Sequence, residues 1–183
     1  TFDSLLEKSP IKKSIIQGTD LVFVRELTGG IYFGKRGRNK TDDYAYDTCE
    51  YNVNEIKRLA KIGFELAMKR SKKLCCIDKA NVLETSRLWR QTVQSLEKNY
   101  PEVNVSYEFV DAVAMRLIHS PSYYDVLITS NLFGDILTDE ASVISGSMGL
   151  MPSASVGVET SIYEPIHGSF PQAKGKNIAN PLA

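Results

Sequence analysis

The chain has 183 residues, of which 43% are hydrophobic and 24% are charged, so its composition is that of a globular protein and excludes disorder, collagen and coiled coils. Lys and Arg together number 22, as do Asp and Glu, and this zero net charge gives no reason to expect nucleic acid as a partner. No apolar run approaches the ~20 residues of a membrane helix and no signal peptide is visible, so we expect no membrane partner either.

Apolar runs and helical periodicities alternate along most of the chain. In chain order they predict a helix at 10–17, a strand at 21–24, a helix at 54–70, a strand at 74–77, a helix at 86–96, a strand at 103–109, a helix at 111–118, a strand at 125–129 and a helix at 131–145. Ser9 is a typical cap for the first helix and Thr85 for the third. Strands that alternate with helices indicate an α/β fold built in layers.

Two segments do not fit this alternation. The stretch 43–51 places tyrosines among polar residues, which predicts an extended arm; it either pairs with a partner chain or is a plain exposed hairpin. The stretch 146–183 is rich in Gly and Pro, so we expect it to be loop-rich and not to pack alone. We therefore expect the chain to be a piece of a longer protein.

The three cysteines are Cys49, Cys75 and Cys76. Cys75 and Cys76 are adjacent in an apolar run, so they should point to opposite faces of a strand. Their odd number and the lack of a metal-type spacing predict reduced, buried thiols and a cytoplasmic protein.

Charged side chains stand at the ends of three predicted strands. They are Arg25, Lys79 and Asp111. In open α/β sheets ligands bind beyond the carboxyl ends of the strands, so this placement suggests a site. The alternative is that strand ends are simply where charges become exposed.

Asp135 and Asp139 lie on one face of the last predicted helix. Two carboxylates at this spacing repel each other unless a cation lies between them, and Mg²⁺ or Mn²⁺ suits ligands that are all oxygen. Asp111 could supply a third carboxylate if the fold brings it near. The alternative is a favourable interaction of acids with the start of a helix.

Two loops carry further candidates. Tyr32 follows Gly29 and Gly30, where a turn could aim its phenol into a cleft, although such a tyrosine is often only packed. The stretch 164–169 contains His167 and small residues that allow backbone N–H groups to approach a ligand, although a lone histidine is often structural. The usual dinucleotide and P-loop motifs are absent.

Several stretches together resemble the isocitrate/isopropylmalate dehydrogenase family. They are VRELTGGIYFG at 24–34, DKANVL at 78–83, NLFGDILTD at 131–139 continuing to Gly149 and Leu150, and EPIHGS at 164–169 followed by IANP at 178–181. They occur in the family's order and span nearly the whole chain. The stretch 25–30 resembles the isopropylmalate branch, because isocitrate relatives typically carry Arg-Glu-Asn-Thr-Glu-Gly there.

The resemblance implies an isocitrate/isopropylmalate dehydrogenase-like α/β fold and a homodimer whose active site is shared between subunits. Residues 1–145 would form the smaller domain, which carries the β arm, the dimer contacts and the substrate and metal sites. Residues 146–183 would begin the return into the cofactor-binding domain. The implied reaction is the NAD-dependent oxidative decarboxylation of 3-isopropylmalate to 2-oxo-4-methylpentanoate and CO2 in leucine biosynthesis.

The resemblance also implies roles for single residues. Arg25 matches an arginine that binds a substrate carboxylate, and Lys79 matches a lysine that acts across the dimer to remove the hydroxyl proton. Tyr32 matches a tyrosine that helps to protonate the enol left after CO2 departs. Asp111, Asp135 and Asp139 match aspartates that hold Mg²⁺ or Mn²⁺, one of which comes from the partner subunit. Asp111 is also expected beside the substrate. NAD contacts are implied for Asn81, His167, Gly168, Ser169, Pro171, Gln172 and Asn180.

The chain departs from the family pattern in two ways. Gln172 stands where NAD-using relatives usually carry Asp, but beyond Lys174 and Lys176 there is no obvious basic pair for a 2′-phosphate, so NAD remains the expected cofactor. Further substrate-binding arginines of the family lie upstream of the position that matches Thr1. We therefore expect the 183-residue chain to be inactive alone.

Two other functions remain open at this stage. One is a related β-decarboxylating dehydrogenase that acts on isocitrate, homoisocitrate, D-malate or tartrate. The other is a dimerisation module without catalysis, which the presence of the complete candidate set of charged and tyrosine side chains disfavours.

Overall fold

The computed structural model describes residues 3–178. Its helices and strands are, in chain order, α1 (Lys13–Ile16), β1 (Val22–Arg25), β2 (Arg36–Arg38), β3 (Ala45–Asp47), α2 (Val53–Lys69), β4 (Lys73–Asp78), α3 (Glu84–Glu97), β5 (Asn104–Phe109), α4 (Val110–His119), β6 (Val126–Thr129), α5 (Asn131–Ser145), β7 (Pro152–Val156) and β8 (Ser161–Pro165). Strands β1, β4, β5 and β6 form one parallel sheet with the spatial order β1-β6-β4-β5. Within the described range, no helix combines the length and the apolar character needed to cross a bilayer.

Helices cover both faces of this sheet, which gives three layers. On one face α2 and α3 bury Phe64 and Trp89 against Cys76. On the other face α4 and α5 pack side by side and enclose Leu137 together with Cys75. Cys75 and Cys76 thus enter opposite apolar cores, as predicted from the two-residue period of a strand. Neither they nor Cys49, the more accessible of the three, forms a disulfide.

The predicted helices and strands are all present, with ends that differ by a few residues, and α5 has the predicted limits. Helix α2 begins at Val53, three residues before Ile56, the first residue of its buried apolar stripe. A capping box fixes this start. The Asn52 side chain accepts hydrogen bonds from the backbone N–H groups of Asn54 and Glu55, and the Glu55 carboxylate accepts one from the Asn52 backbone.

The two predicted helix caps are wrong. Helix α1 begins only at Lys13, and the Ser9 hydroxyl instead donates to the backbone oxygen of Val143, 2.9 Å away, which ties the N-terminal segment to α5. Thr85 lies inside α3, because a tight turn on the backbone oxygen of Lys79 has already brought Leu83 to the position before the helix. Long-range and turn contacts here override local capping preference.

Two antiparallel hairpins stand apart from the main sheet. In the first, β3 lies within the stretch 43–51 that was predicted as an arm, and it pairs with β2, which precedes that stretch. Pairing of the arm with a partner chain stays a prediction. Strands β7 and β8 pair in the second, which the expectation of a loop-rich tail missed. Its strands mix Ser, Ala and Pro with single apolar residues, so they lack the apolar run used to predict strands. The proposed division at 145/146 stays a prediction.

Candidate functional site

The candidate residues lie along the carboxyl edge of the parallel sheet. Arg25 ends β1, Lys79 follows β4, Asp111 lies in the first turn of α4 directly after β5, and α5 follows β6. Because all these strands run in the same direction, their carboxyl ends share one edge, where ligands bind in open α/β sheets. The order β1-β6-β4-β5 then sets which candidates can be neighbours.

Arg25, Tyr32 and Asp135 form one group, called here the arginine cluster. Nη1 of Arg25 lies 2.8 Å from the Asp135 carboxylate, and the guanidinium carbon lies 5.7 Å from the centroid of the Tyr32 ring. The stem of Arg25 runs close over α5, since a Cβ added to Gly134 would lie 2.5 Å from Cγ of Arg25. Glycine is therefore the residue that lets β1 deliver its arginine to the helix surface.

Tyr32 reaches the cluster from a 3₁₀ turn at Gly30–Tyr32. Its phenol interacts with the Asp135 carboxylate, and this hydrogen bond is the main reason that the pKa of Tyr32 is raised above its ordinary value of 10.0. Arg25 acts in the opposite sense and lowers the pKa by a smaller amount. The side chain is exposed, so the phenol is a neutral O–H group that solvent or a ligand can reach.

Buried polar groups fix the turn that carries Tyr32. The Glu26 carboxylate, which is 2% exposed, accepts hydrogen bonds from the backbone N–H groups of Thr28 at 3.0 Å and Gly29 at 2.7 Å, and pairs with Arg58 at 3.0 Å. Gly30 has φ +78°, and a Cβ there would lie 2.1 Å from the Tyr51 hydroxyl. Both the left-handed backbone and the close contact require glycine at that position.

Lys79 and Asp111 form a second group, called here the lysine pair. Nζ of Lys79 donates to the Asp111 carboxylate at 2.6 Å and lies 5.7 Å from the centroid of the Phe109 ring. This hydrogen bond is the main cause that lowers the pKa of Asp111 below its ordinary value of 3.8. The Lys79 side chain is 25% exposed and that of Asp111 is 66% exposed, so Asp111 is the solvent-facing member of the pair.

A buried ion pair holds the backbone next to Lys79. The Asp78 carboxylate, 1% exposed, accepts two hydrogen bonds from the Arg90 guanidinium at 2.8 and 3.0 Å and one from the backbone of Ala80 at 2.9 Å. The Lys79 backbone N–H donates to the Ser86 hydroxyl of α3 at 3.0 Å. The turn between β4 and α3 is thus fixed at both ends.

The two groups remain separate within one chain. No hydrogen bond or ion pair among residues 3–178 links the arginine cluster to the lysine pair. Asp139 is exposed on α5, one turn beyond Asp135. The described residues contain no group of three Asp, Glu, His or Cys side chains placed to hold a metal ion, so Asp111 does not join Asp135 and Asp139 in the same chain.

The residues expected to contact NAD lie on exposed loops. Asn81 is exposed in the turn that follows Lys79. The others follow β8 in a segment where His167 Nδ1 lies 3.0 Å from the backbone oxygen of Gly168, and exposed positions there include Gly168, Ser169, Pro171 and Gln172. A Cβ added to Gly168 would meet no atom within 4 Å, so this fold alone does not require glycine there. Asn180 lies outside the described residues.

Several residues that support the site were not found by sequence reasoning. The supporting residues are Glu26, Tyr51, Asp78, Arg90 and Asn131. Glu26 and Asp78 each follow a buried strand, a signal that marks them as candidates but cannot name their partners. Their charged partners, Arg58 and Arg90, come from α2 and α3, and only the tertiary fold brings them together.

Comparison with protein families and curated relatives gives consistent matches. The family model for isocitrate/isopropylmalate dehydrogenases matches residues 1–183. A 3-isopropylmalate dehydrogenase of Bacteroides fragilis is 58% identical over 183 residues, which cover 100% of this chain and 51% of that relative. One from Clostridium acetobutylicum is 56% identical over 186 residues, covering 100% and 52%. The chain thus spans about half the length of the curated relatives it matches.

Solved structures give the same fold. An isocitrate dehydrogenase from Methylococcus capsulatus has a TM-score of 0.81 and 36% identity, covering 89% of this chain and 50% of that one. A β-decarboxylating dehydrogenase from Thermococcus kodakarensis has a TM-score of 0.82 and 34% identity, covering 92% of this chain and 50% of that one.

Proposed function

The chain belongs to the isocitrate/isopropylmalate dehydrogenase family, and we propose that the protein containing it oxidises and decarboxylates 3-isopropylmalate with NAD and Mg²⁺ or Mn²⁺. The substrate follows the names of the 58% and 56% identical relatives, both 3-isopropylmalate dehydrogenases. Such a reaction serves leucine biosynthesis. The free thiols agree with the cytoplasmic location expected from the sequence.

One observation carries the proposal: the arginine cluster and the lysine pair lie on the same sheet edge of one chain, but no hydrogen bond or ion pair among residues 3–178 joins them. A reaction that needs a carboxylate-binding arginine, a proton donor and a base around one substrate must bring both groups together. We propose that a second copy of the chain does this, so that each site combines the arginine cluster of one subunit with the lysine pair of the other.

The surface beside both groups suits a second copy. Helices α4 and α5 pack side by side on one face of the sheet, and each leaves large apolar side chains exposed. These are Met115, Ile118, Leu132, Ile136 and Val143. Tyr44 and Tyr46 of the hairpin arm are exposed as well. Apolar surface shared by neighbouring helices is typical of homodimer interfaces, and two-fold symmetry would give both subunits the same contacts.

The donor set fits a hard divalent ion. Asp135 and Asp139 present carboxylates one helical turn apart, and Asp111 of the partner subunit would complete the all-oxygen set that Mg²⁺ and Mn²⁺ prefer. The ion would supply a Lewis acid at this position, and NAD would supply the hydride acceptor. Arg25 binds a substrate carboxylate through its planar, bidentate guanidinium, which α5 already holds in place.

Two residues of the chain move protons. Lys79 takes the proton of the substrate hydroxyl at Nζ. It can do so only as a neutral amine, so Asp111 must first leave Nζ to join the metal site and the ammonium proton must pass to solvent. Tyr32 returns a proton from Oη to the enol carbon left by decarboxylation. The phenol is protonated near neutral pH, because the ordinary pKa of a tyrosine is already 10.0, and so it has a proton to give.

The loop after β8 would contact NAD through exposed backbone and small side chains. Gly168 has open space where a Cβ would stand, so a ligand can approach the backbone closely there. Gln172 is exposed and can donate to or accept from a ribose hydroxyl, but it brings no carboxylate to repel a 2′-phosphate. We propose NAD, with weaker rejection of NADP than in relatives that carry Asp.

The test uses the full-length protein that contains this chain. NADH formation is followed with Mg²⁺ or Mn²⁺ on 3-isopropylmalate, isocitrate and D-malate in parallel. We expect selective turnover of 3-isopropylmalate. Preference for isocitrate or D-malate would overturn the substrate, and no turnover on any hydroxy acid would favour a dimerisation module. The 183-residue chain measured alone should give no NADH.

A further inference from the structure

Asn131 occupies an unusual position for a polar side chain. It is the first residue of α5 and is 2% exposed, although amide side chains are mostly found at the surface. It does not cap its own helix, because its carboxamide points back to β1 and to the turn before Tyr32. A buried amide is costly unless its donors and acceptors are satisfied, so these contacts call for an explanation.

The acceptor side of Asn131 holds Arg25. Its Oδ1 accepts from Nη2 of Arg25 at 2.8 Å and from Nε at 3.2 Å, and its backbone oxygen accepts from Nε at 3.0 Å. Together with the ion pair to Asp135, these bonds fix both the plane and the direction of the guanidinium. A long side chain that would otherwise sample many rotamers is set in one orientation.

The donor side of Asn131 holds the turn. Its Nδ2 donates to the backbone oxygen of Gly29 at 3.1 Å, and its backbone N–H donates to the Tyr51 hydroxyl at 2.9 Å. Tyr51 in turn fills the space beside Gly29 and Gly30, against which no Cβ would fit without displacement. The same residue therefore touches the supports of both Arg25 and Tyr32.

We propose that Asn131 is a positioning residue, whose carboxamide sets the guanidinium of Arg25 and the turn that carries Tyr32 in one mutual arrangement. The expected change in kinetics rests on the proposed function, whereas the orientation of Arg25 by Asn131 does not. The first residue of α5 would thus act in substrate binding by orienting Arg25, whereas the aspartates further along the helix are proposed to bind the metal ion.

The kinetic test replaces Asn131 by Ala in the full-length protein. Because Arg25 loses its orientation, we expect kcat/KM for the hydroxy acid to fall by up to about 100-fold, mostly through a higher KM, with a smaller fall in kcat from the displaced Tyr32. Ser142→Ala is the matched control, since Ser142 is a buried polar residue of α5 whose hydroxyl bonds only within its own helix. A lower Tm with an unchanged KM in both variants would reduce Asn131 to a purely structural residue and overturn the proposal. If the alanine variant does not fold, Asn131→Ser is judged by the same criteria.

A second readout does not depend on activity. The Nε–H signal of Arg25 in a ¹H–¹⁵N spectrum, identified by its loss in Arg25→Lys, should be protected from exchange in the wild type. It should shift and exchange faster in Asn131→Ala but not in Ser142→Ala. An unchanged Arg25 signal in Asn131→Ala would contradict the positioning role. If the wild type turns over no hydroxy acid, the proposed function fails, while this spectrum still decides the role of Asn131.

Discussion

The arginine cluster and the lysine pair use the same sheet edge in different ways. The arginine cluster is braced by neighbouring elements: Arg25 bonds to Asp135 and Asn131 of α5, and buried Asn131 and Glu26 hold the turn that carries Tyr32. In the lysine pair, buried Asp78 anchors the turn, but the charged ends of Lys79 and Asp111 are held by their bond to each other. Exposure does not separate the two groups, because the side chains of Arg25 and Lys79 are 24% and 25% exposed.

Each group already contains an ion pair, Arg25 with Asp135 at 2.8 Å and Lys79 with Asp111 at 2.6 Å. A substrate or a metal ion must share or displace these partners in either group. In the proposed dimer, a second subunit would bring the two groups to one substrate. The first two predictions below alter the lysine pair and the arginine cluster separately.

The largest effect is expected for Lys79→Ala in the full-length protein. Loss of the proposed base should lower kcat by about 100- to 10,000-fold while KM changes little, because the arginine cluster that binds the substrate is untouched. Steady-state kinetics on 3-isopropylmalate measure both constants. Near-normal kcat would remove Lys79 from the mechanism.

Gly134→Ala disturbs the arginine cluster. The new Cβ would lie 2.5 Å from Cγ of Arg25, so the arginine must move away from α5. We expect KM to rise by up to about 100-fold with a smaller change in kcat, the opposite split from Lys79→Ala. Gly149→Ala is the control, because a Cβ there meets only the Ser147 hydroxyl at an ordinary 3.4 Å. Equal kinetic effects of both glycine variants would contradict the account.

Substitution of the buried acids that support the two groups should lower the free energy of unfolding by different amounts. Asp78→Asn removes the buried negative charge that pairs with Arg90 and turns one of the two acceptor oxygens into an N–H donor, so it should lower the free energy of unfolding by about 3 kcal/mol. Glu26→Gln should cost only about 1 to 2 kcal/mol, because Arg58 is half exposed and remains solvated. Urea unfolding of the full-length protein measures both. A larger loss for Glu26→Gln would reverse the comparison.

The smallest effects are those of pH. The pKa of Asp111 is lowered, so the lysine pair contributes stability above the ordinary aspartate pKa and loses it as pH falls through the lowered value. The pKa of Tyr32 is raised, so its contribution is complete below the ordinary value of 10.0 and is lost as pH rises through the raised value. Both groups are exposed, so the changes in stability should be slight, and the titrations themselves are the observable.

Two variants separate these titrations. In Lys79→Met the pKa of Asp111, followed by carboxyl ¹³C NMR, should rise toward 3.8. In Asp135→Asn the pKa of Tyr32, followed by tyrosinate absorbance with Tyr32→Phe as reference, should fall toward 10.0. If either variant moved the pKa of the other group as strongly, the arginine cluster and the lysine pair would not be independent.

Much of the fold could be predicted from the sequence, because periodicity and apolar runs report directly on burial. The α5 limits and the opposite directions of Cys75 and Cys76 are examples. The caps at Ser9 and Thr85 could not be predicted, since distant backbone and a preceding turn decide them. The β7–β8 hairpin lacks an apolar run and was missed for that reason.

The site was predicted in its parts rather than in its arrangement. Strand-end position marked Arg25, Lys79 and Asp111, and the family motifs supplied their implied roles. Which residues meet depends on the strand order β1-β6-β4-β5, which places β6 and its helix beside β1. Sequence alone could not show that Asp111 would pair with Lys79, nor that Asn131 would hold Arg25.

Complementation between two inactive variants tests the shared site most directly. Full-length Arg25→Ala and Lys79→Ala are each expected to be nearly inactive as homodimers. When the two are co-expressed, half of the dimers are mixed and each mixed dimer regains one intact site, so about one quarter of wild-type activity should return. Two differently tagged Lys79→Ala chains, combined in the same way, should regain nothing. A mixed population as inactive as its parents would contradict the proposal that each site takes its arginine cluster and its lysine pair from different subunits.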